Sequence, residues 1–448
     1  MSQNTYEIAI IGGGVCGTAL LYTLSNYTNV DRIALIEKNS AVALVNSCKS
    51  NNSQTLHFGD IETNYTLEKA RKVNRAATLV KNYLLNNDSQ QQAYTKYHKM
   101  VLAVGEEQVA KLKNRYEEFK QLFPTLKLID KEKIAELEPK ILEERETTED
   151  ILALFTEEGY TINFQNLSQL FLGHAINKIS KNIDIFFDHQ VTKITKQDDI
   201  YVIKTPEKTI RAKAIAVEAG AHSLLLAKSL GYGRDYALLS VAGSFYFAPK
   251  MLKGKVYTVQ LKKLPFAAIH GDPEVDNPDL TRFGPTAKVL PMLERRNYAT
   301  VLEYFQTAGL RVKAIASFLK ILSDFTVLRY IILNLIYDLP VIGKRLFIKQ
   351  VRKIIPSITL KDLKFARGYG GVRPQIVNLN TRSLELGEAK ILGDNILFNI
   401  TPSPGASTCL QNAQDDTESL IGFLGKGYKF NKEKFVADLS NQLDFVGR

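Results

Sequence analysis

The sequence predicts an α/β protein in which a Rossmann-like, dinucleotide-binding domain is interwoven with a second domain of mixed-sheet α+β type that carries a helical segment. The first observation is a glycine-rich turn between a strand-like and a helix-like segment at the N-terminus. The second is the alternation of strand-like and helix-like segments along the chain, without repeats or low-complexity linkers. A length of 448 residues is sufficient for two or three domains.

The N-terminal unit has the order strand, turn, helix, strand. Residues 6–11 form a short apolar run, the turn contains Gly12, Gly14 and Gly17, and the second strand ends at Glu37. Gly12 permits the tight turn, Gly14 lets the backbone approach a pyrophosphate, and Gly17 lets the helix pack close to the strand. Glu37, 20 residues after the last glycine, is placed to accept hydrogen bonds from a ribose. The unit therefore indicates a bound dinucleotide.

The remaining segments define two interwoven domains. The dinucleotide-binding domain is expected to comprise residues 1–85, 151–235 and 366–448, and the second domain residues 86–150 and 236–365. Helices are predicted at 66–86, 105–123, 164–181, across most of 292–355 and from about Cys409, and strands of the second domain at 241–247, 255–260 and 266–270. The last strand is expected to end at His270, because Gly, Asp and Pro follow and are typical of a turn.

The charge distribution indicates a surface for an anionic partner. The net charge is +11, and residues 311–353 contain nine Lys or Arg and two Asp, a local charge of +7 among apolar residues. No run there reaches the roughly 18–20 uninterrupted apolar residues that a membrane span requires. The segment is therefore expected either to lie on a membrane surface or to form a buried helix pair with basic solvated faces. It contains no aromatic-rich module of the kind that binds nucleic acid, so no nucleic-acid partner is expected.

The cysteines and the N-terminus indicate a reducing compartment. The three cysteines, Cys16, Cys48 and Cys409, form no CxxC motif, which argues against a disulfide framework, a zinc ribbon or an iron–sulfur cluster. No cluster of ligands at metal-binding spacing occurs, so no metal is expected. The N-terminus has no basic region followed by an apolar stretch, which predicts a cytoplasmic protein.

The fingerprint alone does not distinguish FAD from NAD. No second copy with a strand and a helix follows, so one bound dinucleotide is expected. An oxidoreductase with one dinucleotide and no iron–sulfur ligands must deliver its electrons to an external acceptor. A bound flavin can do this directly, whereas a nicotinamide would have to dissociate.

Several motifs together resemble one group of flavoenzymes. They are the N-terminal fingerprint, NNSQTLHFGDIETNYT (51–66), EAGAHSLLLAKSLGYG (218–233), VAGSFYF (241–247), LPFAAIHGDP (264–273), FGPTA (283–287), GGVRPQ (370–375) and SPGAST (403–408). The chain resembles the FAD-dependent oxidoreductases of the D-amino-acid-oxidase type over nearly its full length, and within them the malate:quinone oxidoreductases. The resemblance implies that the first domain binds FAD and the second binds substrate.

The resemblance also implies which residues bind FAD. Those expected at the ADP half are Gly12, Gly14, Gly17, Glu37, Val191 and Gly220, and those expected near the flavin or the pyrophosphate are Asn52, Ser53, Gln54, Gly405, Ala406 and Ser407. The last three residues would begin the final helix. Its positive N-terminal end would then face the electron-rich edge of the flavin and stabilise the reduced, anionic form.

The reaction implied by this resemblance requires a base. Oxidation of a 2-hydroxy acid removes the hydroxyl proton while the hydride at C2 goes to the flavin, and histidine is suited to accept that proton near neutral pH. His270 is favoured as the base, because members of the group that act on dicarboxylic 2-hydroxy acids have a histidine in the same LPF-x-x-x-H context. His57 is the alternative base or a partner that orients the substrate. Asp272 is expected either to orient the imidazole of His270 or to cap a turn.

The substrate carboxylates require cations. Planar guanidinium groups bind carboxylates through paired hydrogen bonds, and Arg373, within GGVRPQ, is the first candidate. Arg282, just before FGPTA, is the second.

The resemblance implies oxidation of (S)-malate to oxaloacetate, with electrons passed to a quinone at the inner face of the cell membrane. Two alternatives remain at this stage. One is a dehydrogenase of the same fold acting on L-2-hydroxyglutarate or another 2-hydroxy acid, and the other is a non-catalytic flavin-binding scaffold.

Overall fold

The computed structural model describes residues 5–260, 269–308, 316–317, 319–320, 323–385, 388–402 and 404–440. Its helices are α1 (Val15–Tyr27), α2 (Leu67–Asn87), α3 (Glu106–Phe119), α4 (Lys131–Leu137), α5 (Phe164–Ile176), α6 (His222–Ser229), α7 (Thr300–Ala308), α8 (Phe325–Tyr337), α9 (Ile342–Val351), α10 (Cys409–Leu424) and α11 (Lys432–Leu439). Residues 266–268 of a predicted strand, parts of the 292–355 helical segment and Ser403 of the SPGAST motif lie outside the described residues.

The strands form three sheets. They are β1 (Thr5–Ile11), β2 (Arg32–Ile36), β3 (Tyr94–Val104), β4 (Lys127–Ile129), β5 (Ile151–Ile162), β6 (Asn182–Phe186), β7 (Lys193–Gln197), β8 (Ile200–Lys204), β9 (Thr209–Val217), β10 (Tyr236–Ala242), β11 (Tyr246–Pro249), β12 (Lys255–Thr258), β13 (His270–Pro273), β14 (Leu280–Gly284), β15 (Lys288–Val289), β16 (Lys364–Phe365), β17 (Val372–Asn378), β18 (Ser383–Glu385), β19 (Ala389–Gly393) and β20 (Ile396–Ile400).

The first sheet contains the N-terminal unit. Strands β20, β9, β1, β2 and β6 run parallel in that order, β19 is antiparallel at one edge, and the β7–β8 hairpin pairs with β9. The centres of β1, β2 and β9 are fully buried, as expected for parallel strands that helices cover. The predicted α/β class is confirmed.

Close packing of α1 against β1 depends on the glycines of the fingerprint. Gly12 has a φ of +112°, and a Cβ built there would lie 2.5 Å from the carbonyl oxygen of Glu218. A Cβ at Gly17 would lie 1.9 Å from the carbonyl oxygen of Gly12. Both positions therefore exclude any side chain, and the turn brings the N-terminus of α1 directly to the end of β1.

The remaining strands form the other two sheets. One has the order β15, β10, β17, β18, and the larger one has the order β16, β11, β14, β13, β12, β3, β5, β4. In the larger sheet only the β12–β3 pair is parallel. Strand β5, within the 151–235 segment expected in the first domain, lies in this larger sheet.

The predicted turn after His270 is wrong, because residues 270–273 form strand β13 between β12 and β14. Gly271 is needed there, since a Cβ would lie 2.6 Å from the side chains of Leu252 and Phe283. The alternation of side chains along a strand puts His270 and Asp272 on one face. Arg282 is the cross-strand neighbour of Asp272, so long-range pairing brings the three residues together.

The helical segment presents apolar side chains to solvent. On α8, Phe325, Leu328, Ile332 and Leu335 recur at intervals of three or four residues and are between 37% and 74% exposed. Within the described ranges, no helix is long and apolar enough to cross a membrane.

The contact between α1 and β1 can be tested with Gly17→Ala. The added methyl group would overlap the Gly12 carbonyl oxygen, so we expect the free energy of unfolding to fall by about 1–3 kcal/mol and the thermal midpoint to fall with it. Gly422→Ala is the matched control, because a Cβ at that position of α10 meets no atom within 4 Å. Equal midpoints for the two variants, measured by thermal unfolding, would contradict the proposed packing constraint.

Candidate functional site

A cleft opens at the carboxyl ends of β1, β2, β9 and β20, where the dinucleotide-binding folds bind their ligands. The residues just after these strands, Gly12, Glu37, Glu218 and Thr401, line it. Of the residues predicted from the sequence, those lining the cleft are Gly12, Gly14, Glu37, Asn52, Ser53, His57, Val191, Gly220, Arg373, Gly405, Ala406 and Ser407. Gly17, Gln54, His270, Asp272 and Arg282 do not line it.

One end of the cleft is suited to the ADP half of a dinucleotide. The carboxylate of Glu37 is held by the backbone N–H of Gly13 at 2.7 Å and by the backbone N–H of Asn39 at 2.9 Å. Helix α1 begins beside it, with Gly14 as N-cap and no acidic residue in its first turn. Free N–H groups at a helix N-terminus favour a phosphate. These features fit the phosphate and ribose of FAD.

Another part of the cleft wall joins two segments that are distant in the sequence. Gly405, Ala406 and Ser407 form a turn just before α10. The hydroxyl of Ser407 accepts a hydrogen bond from the backbone N–H of His57 at 3.0 Å. The 51–57 segment and the turn therefore meet along the cleft, as expected for residues that enclose a flavin.

His57 has a buried carboxylate partner that the sequence reasoning missed. Its Nδ1 lies 2.6 Å from Oε1 of Glu62, which is 4% exposed. Burial raises the pKa of Glu62, but the hydrogen bond and charge of His57 and the charge of Lys99 outweigh it and lower the pKa overall. In the sequence, this pair is indicated only by the presence of a glutamate five residues after the histidine.

His270, Asp272 and Arg282 form a buried cluster with Lys255. Nε2 of His270 lies 3.2 Å from Oδ1 of Asp272, within ion-pair distance but without the alignment of a hydrogen bond. Arg282 donates to Oδ2 of Asp272 at 2.9 Å, and Lys255 does so at 3.3 Å. Asp272 and Arg282 are fully buried, and His270 is 4% exposed. The cluster thus pairs one carboxylate with two cations and keeps a net positive charge while Lys255 is protonated.

The pKa values of this cluster shift as its charges require. Burial would raise the pKa of Asp272, but Arg282, Lys255 and His270 lower it far below its usual value. Burial lowers the pKa of Lys255 to about 8, against the opposing effect of Asp272. Burial also lowers the pKa of His270, with Asp272 opposing. Asp272 is therefore ionised in the folded protein.

Arg282 connects this cluster to the wall of the cleft. Its guanidinium donates to the backbone carbonyl of Asn52 at 3.2 Å and to that of Ser53 at 2.7 Å. Gln54 is also buried and donates to the carbonyl of Lys49 at 2.9 Å. Arg282 and Gln54 therefore lie behind the segment that lines the cleft, and their observed contacts are with protein groups.

Arg373, at the start of β17, lines the cleft. Burial lowers the pKa of its guanidinium, and Tyr330 opposes this shift. Within the part of the chain that the structure describes, no carboxylate lies in ion-pair distance of it. Gly371, two residues earlier, lets the loop approach, since a Cβ there would lie 2.5 Å from the carbonyl oxygen of Asn51. Arg373 is thus a cation available to an anionic ligand.

Two further polar residues line the cleft. Ser47, which the sequence reasoning did not identify, accepts a hydrogen bond from the backbone N–H of Val15 at 3.0 Å and thereby joins the chain after β2 to α1. His222, within the EAGAHSLLLAKSLGYG motif, pairs with Glu303 of α7 at 3.0 Å. Ser47 reaches the cleft through long-range packing and carries no local motif.

Comparisons with known proteins agree with this geometry. A profile of the malate:quinone oxidoreductase family matches residues 4–415. A probable malate:quinone oxidoreductase from Campylobacter jejuni is 43% identical, over 98% of this chain and 100% of that protein. The malate:quinone oxidoreductase of Helicobacter pylori (strain ATCC 700392 / 26695) is 44% identical, over 97% of this chain and 98% of that protein.

Solved structures show the same fold. An L-α-glycerophosphate oxidase from Mycoplasma pneumoniae with FAD bound aligns with a TM-score of 0.65 and 18% identity, over 93% of this chain and 95% of that chain. A glycine oxidase from Geobacillus kaustophilus aligns with a TM-score of 0.65 and 14% identity, over 98% of both chains. The profile match over nearly the whole chain, together with the identity to relatives of the same length, shows that this chain belongs to the malate:quinone oxidoreductase family, whose members are FAD-dependent.

Proposed function

We propose that the cleft is the active site at which this chain oxidises (S)-malate to oxaloacetate, with electrons leaving through FAD to a quinone. The observation that carries the assignment to this cleft is the presence of a proton acceptor, His57, and an available cation, Arg373, in the lining of the site that fits FAD. FAD, when bound, supplies the acceptor for the hydride that leaves C2 of the substrate.

His57 is proposed as the base. A neutral imidazole whose Nδ1–H is donated to Glu62 has a free lone pair on Nε2, which can accept the hydroxyl proton of malate. His270, the residue that the sequence favours, is the second candidate. Its ring is tilted by 39° against that of Tyr257, with 4.8 Å between the ring centroids, and lies beside Asp272 in the buried cluster. Access to the cleft therefore favours His57.

Arg373 is proposed to bind a carboxylate of malate. A guanidinium can form two parallel hydrogen bonds to a carboxylate, and such bonds are stronger where solvent is excluded. Arg282 is proposed to act on the wall of the cleft rather than on the substrate, because the backbone carbonyls of Asn52 and Ser53 and the carboxylate of Asp272 engage it.

The function and the role of Arg373 can be tested by anaerobic reduction of bound FAD. We expect (S)-malate to bleach the flavin faster than L-2-hydroxyglutarate or lactate does. Arg373→Met should weaken malate binding about 10- to 100-fold, because a charge-assisted pair contributes about 1.5–3 kcal/mol. Arg367→Met, at an exposed arginine in the loop that precedes β17, is the matched control. No bleaching by malate in the unmodified protein would overturn the proposed reaction.

The choice of base predicts different effects of the two histidines. His57→Gln should slow malate-dependent flavin reduction by about 10²–10⁴-fold, the usual contribution of general-base catalysis. His270→Gln should retain a rate within about tenfold of the unmodified protein. Stopped-flow absorbance, with FAD content measured in both variants, makes the comparison. The reverse order of effects would assign the base to His270 instead.

We also propose that helices α8 and α9 bind the anionic inner face of the cell membrane, where a lipid-soluble quinone resides. The exposed apolar row on α8 (Phe325, Leu328, Ile332 and Leu335) is accompanied by exposed basic residues, among them Arg329 and Arg345. Apolar side chains with flanking cations favour the boundary between lipid headgroups and acyl chains.

Vesicle binding tests the membrane proposal. We expect the protein to bind vesicles that contain anionic lipid, to bind neutral vesicles weakly, and to dissociate as salt rises, because salt screens exposed charges. Ile332→Asp should abolish the binding. Leu85→Asp, at an exposed apolar residue of α2, is the control and should leave it unchanged. Equal binding to neutral and anionic vesicles, measured by co-sedimentation, would contradict the proposal.

A further inference from the structure

His57 is held at its backbone and at its ring. Its backbone N–H donates to the hydroxyl of Ser407, and its ring Nδ1 lies 2.6 Å from Oε1 of Glu62. The Glu62 side chain is only 5% exposed, whereas that of His57 is 17% exposed and lines the cleft. The carboxylate therefore lies behind the ring and the cleft in front of it.

We propose that Glu62 is a positioning residue that fixes the tautomer and orientation of His57, with Nδ1 protonated and Nε2 directed to the substrate as acceptor. An ionised carboxylate has no hydrogen to donate, so the short contact requires Nδ1 to carry the hydrogen. The neutral ring then has its lone pair on Nε2. This inference rests on the proposed role of His57 as base.

The surroundings of Glu62 keep it ionised. Lys99 is 1% exposed and pairs with Asp60 at 2.8 Å, and its charge also acts on Glu62. The other titratable groups that interact with Glu62 are Asp60, whose like charge opposes ionisation, and Lys69, Tyr65 and Tyr257. Among the described residues, Oε2 of Glu62 has no hydrogen-bond partner. The carboxylate therefore acts directly on the ring of His57, through Oε1.

A second buried histidine–glutamate pair provides a control. Nε2 of His98 lies 2.8 Å from Oε1 of Glu138, which is fully buried. Glu138 also accepts hydrogen bonds from the backbone N–H groups of Lys253 and Gly254 at 3.0 and 2.6 Å. Neither His98 nor Glu138 lines the cleft. The same substitution in this pair removes a similar buried charge at a distance from the proposed chemistry.

The experiment compares Glu62→Gln with Glu138→Gln in the FAD-loaded protein. E62Q should slow malate-dependent flavin reduction at least about tenfold, since the base contributes about 10²–10⁴-fold in all. E138Q should leave this rate unchanged. Glu62→Asp, which keeps the charge, should recover part of the rate of the unmodified protein, and it serves as the test variant if E62Q does not retain FAD.

A spectroscopic measurement is independent of activity. In protein with ¹⁵N-labelled histidine, the ring signals assigned to His57 through their loss in His57→Gln should show the Nδ1–H tautomer, and E62Q should lose it. The inference is overturned if malate reduces the unmodified protein but E62Q behaves as E138Q does. If malate does not reduce the unmodified protein, the proposed function fails instead, and the ring signals still test the effect of Glu62 on His57.

Discussion

The architecture of the cleft depends on the buried charge of Asp272. This carboxylate is fully buried and is neutralised by Arg282 and Lys255. Both cations also reach the 52–57 segment: Arg282 donates to two of its backbone carbonyls, and Lys255 donates to the hydroxyl of Thr55 at 3.2 Å. Because an unpaired buried charge is costly, the ion pairs that satisfy Asp272 hold the segment against strands β12 and β14 of the larger sheet.

That segment in turn presents His57. Its position is fixed relative to the turn before α10 by the Ser407 hydroxyl, and its ring by Glu62. Polar contacts that span more than 200 residues of sequence thus connect the larger sheet, the 52–57 segment and the turn before α10. Such contacts determine the shape of the site more directly than the apolar core does, because hydrogen bonds specify both distance and direction.

The sequence predicted the parts of the site that depend on local geometry. Gly12, Gly14 and Glu37 follow from steric and spacing rules within one supersecondary unit, so their place in the lining of the cleft was predictable. The strand at 270–273 was not, because Gly and Pro are typical of turns and only pairing with β12 and β14 overrides that tendency. Arg282 was expected as the second candidate to bind a substrate carboxylate, and its contacts with Asn52 and Ser53 required knowledge of the tertiary fold.

Asp272 and Glu62 show how similar buried carboxylates can have different consequences. Asp272 lies among two cations and His270, and none of these four side chains lines the cleft. Glu62 is hydrogen-bonded to the ring of His57, and His57 lines the cleft. A charge that is fully paired within the protein stabilises structure, whereas a charge paired with a group that can still exchange a proton with a ligand can support chemistry. The access of the histidine to the cleft, rather than the strength of either ion pair, therefore distinguishes the two clusters.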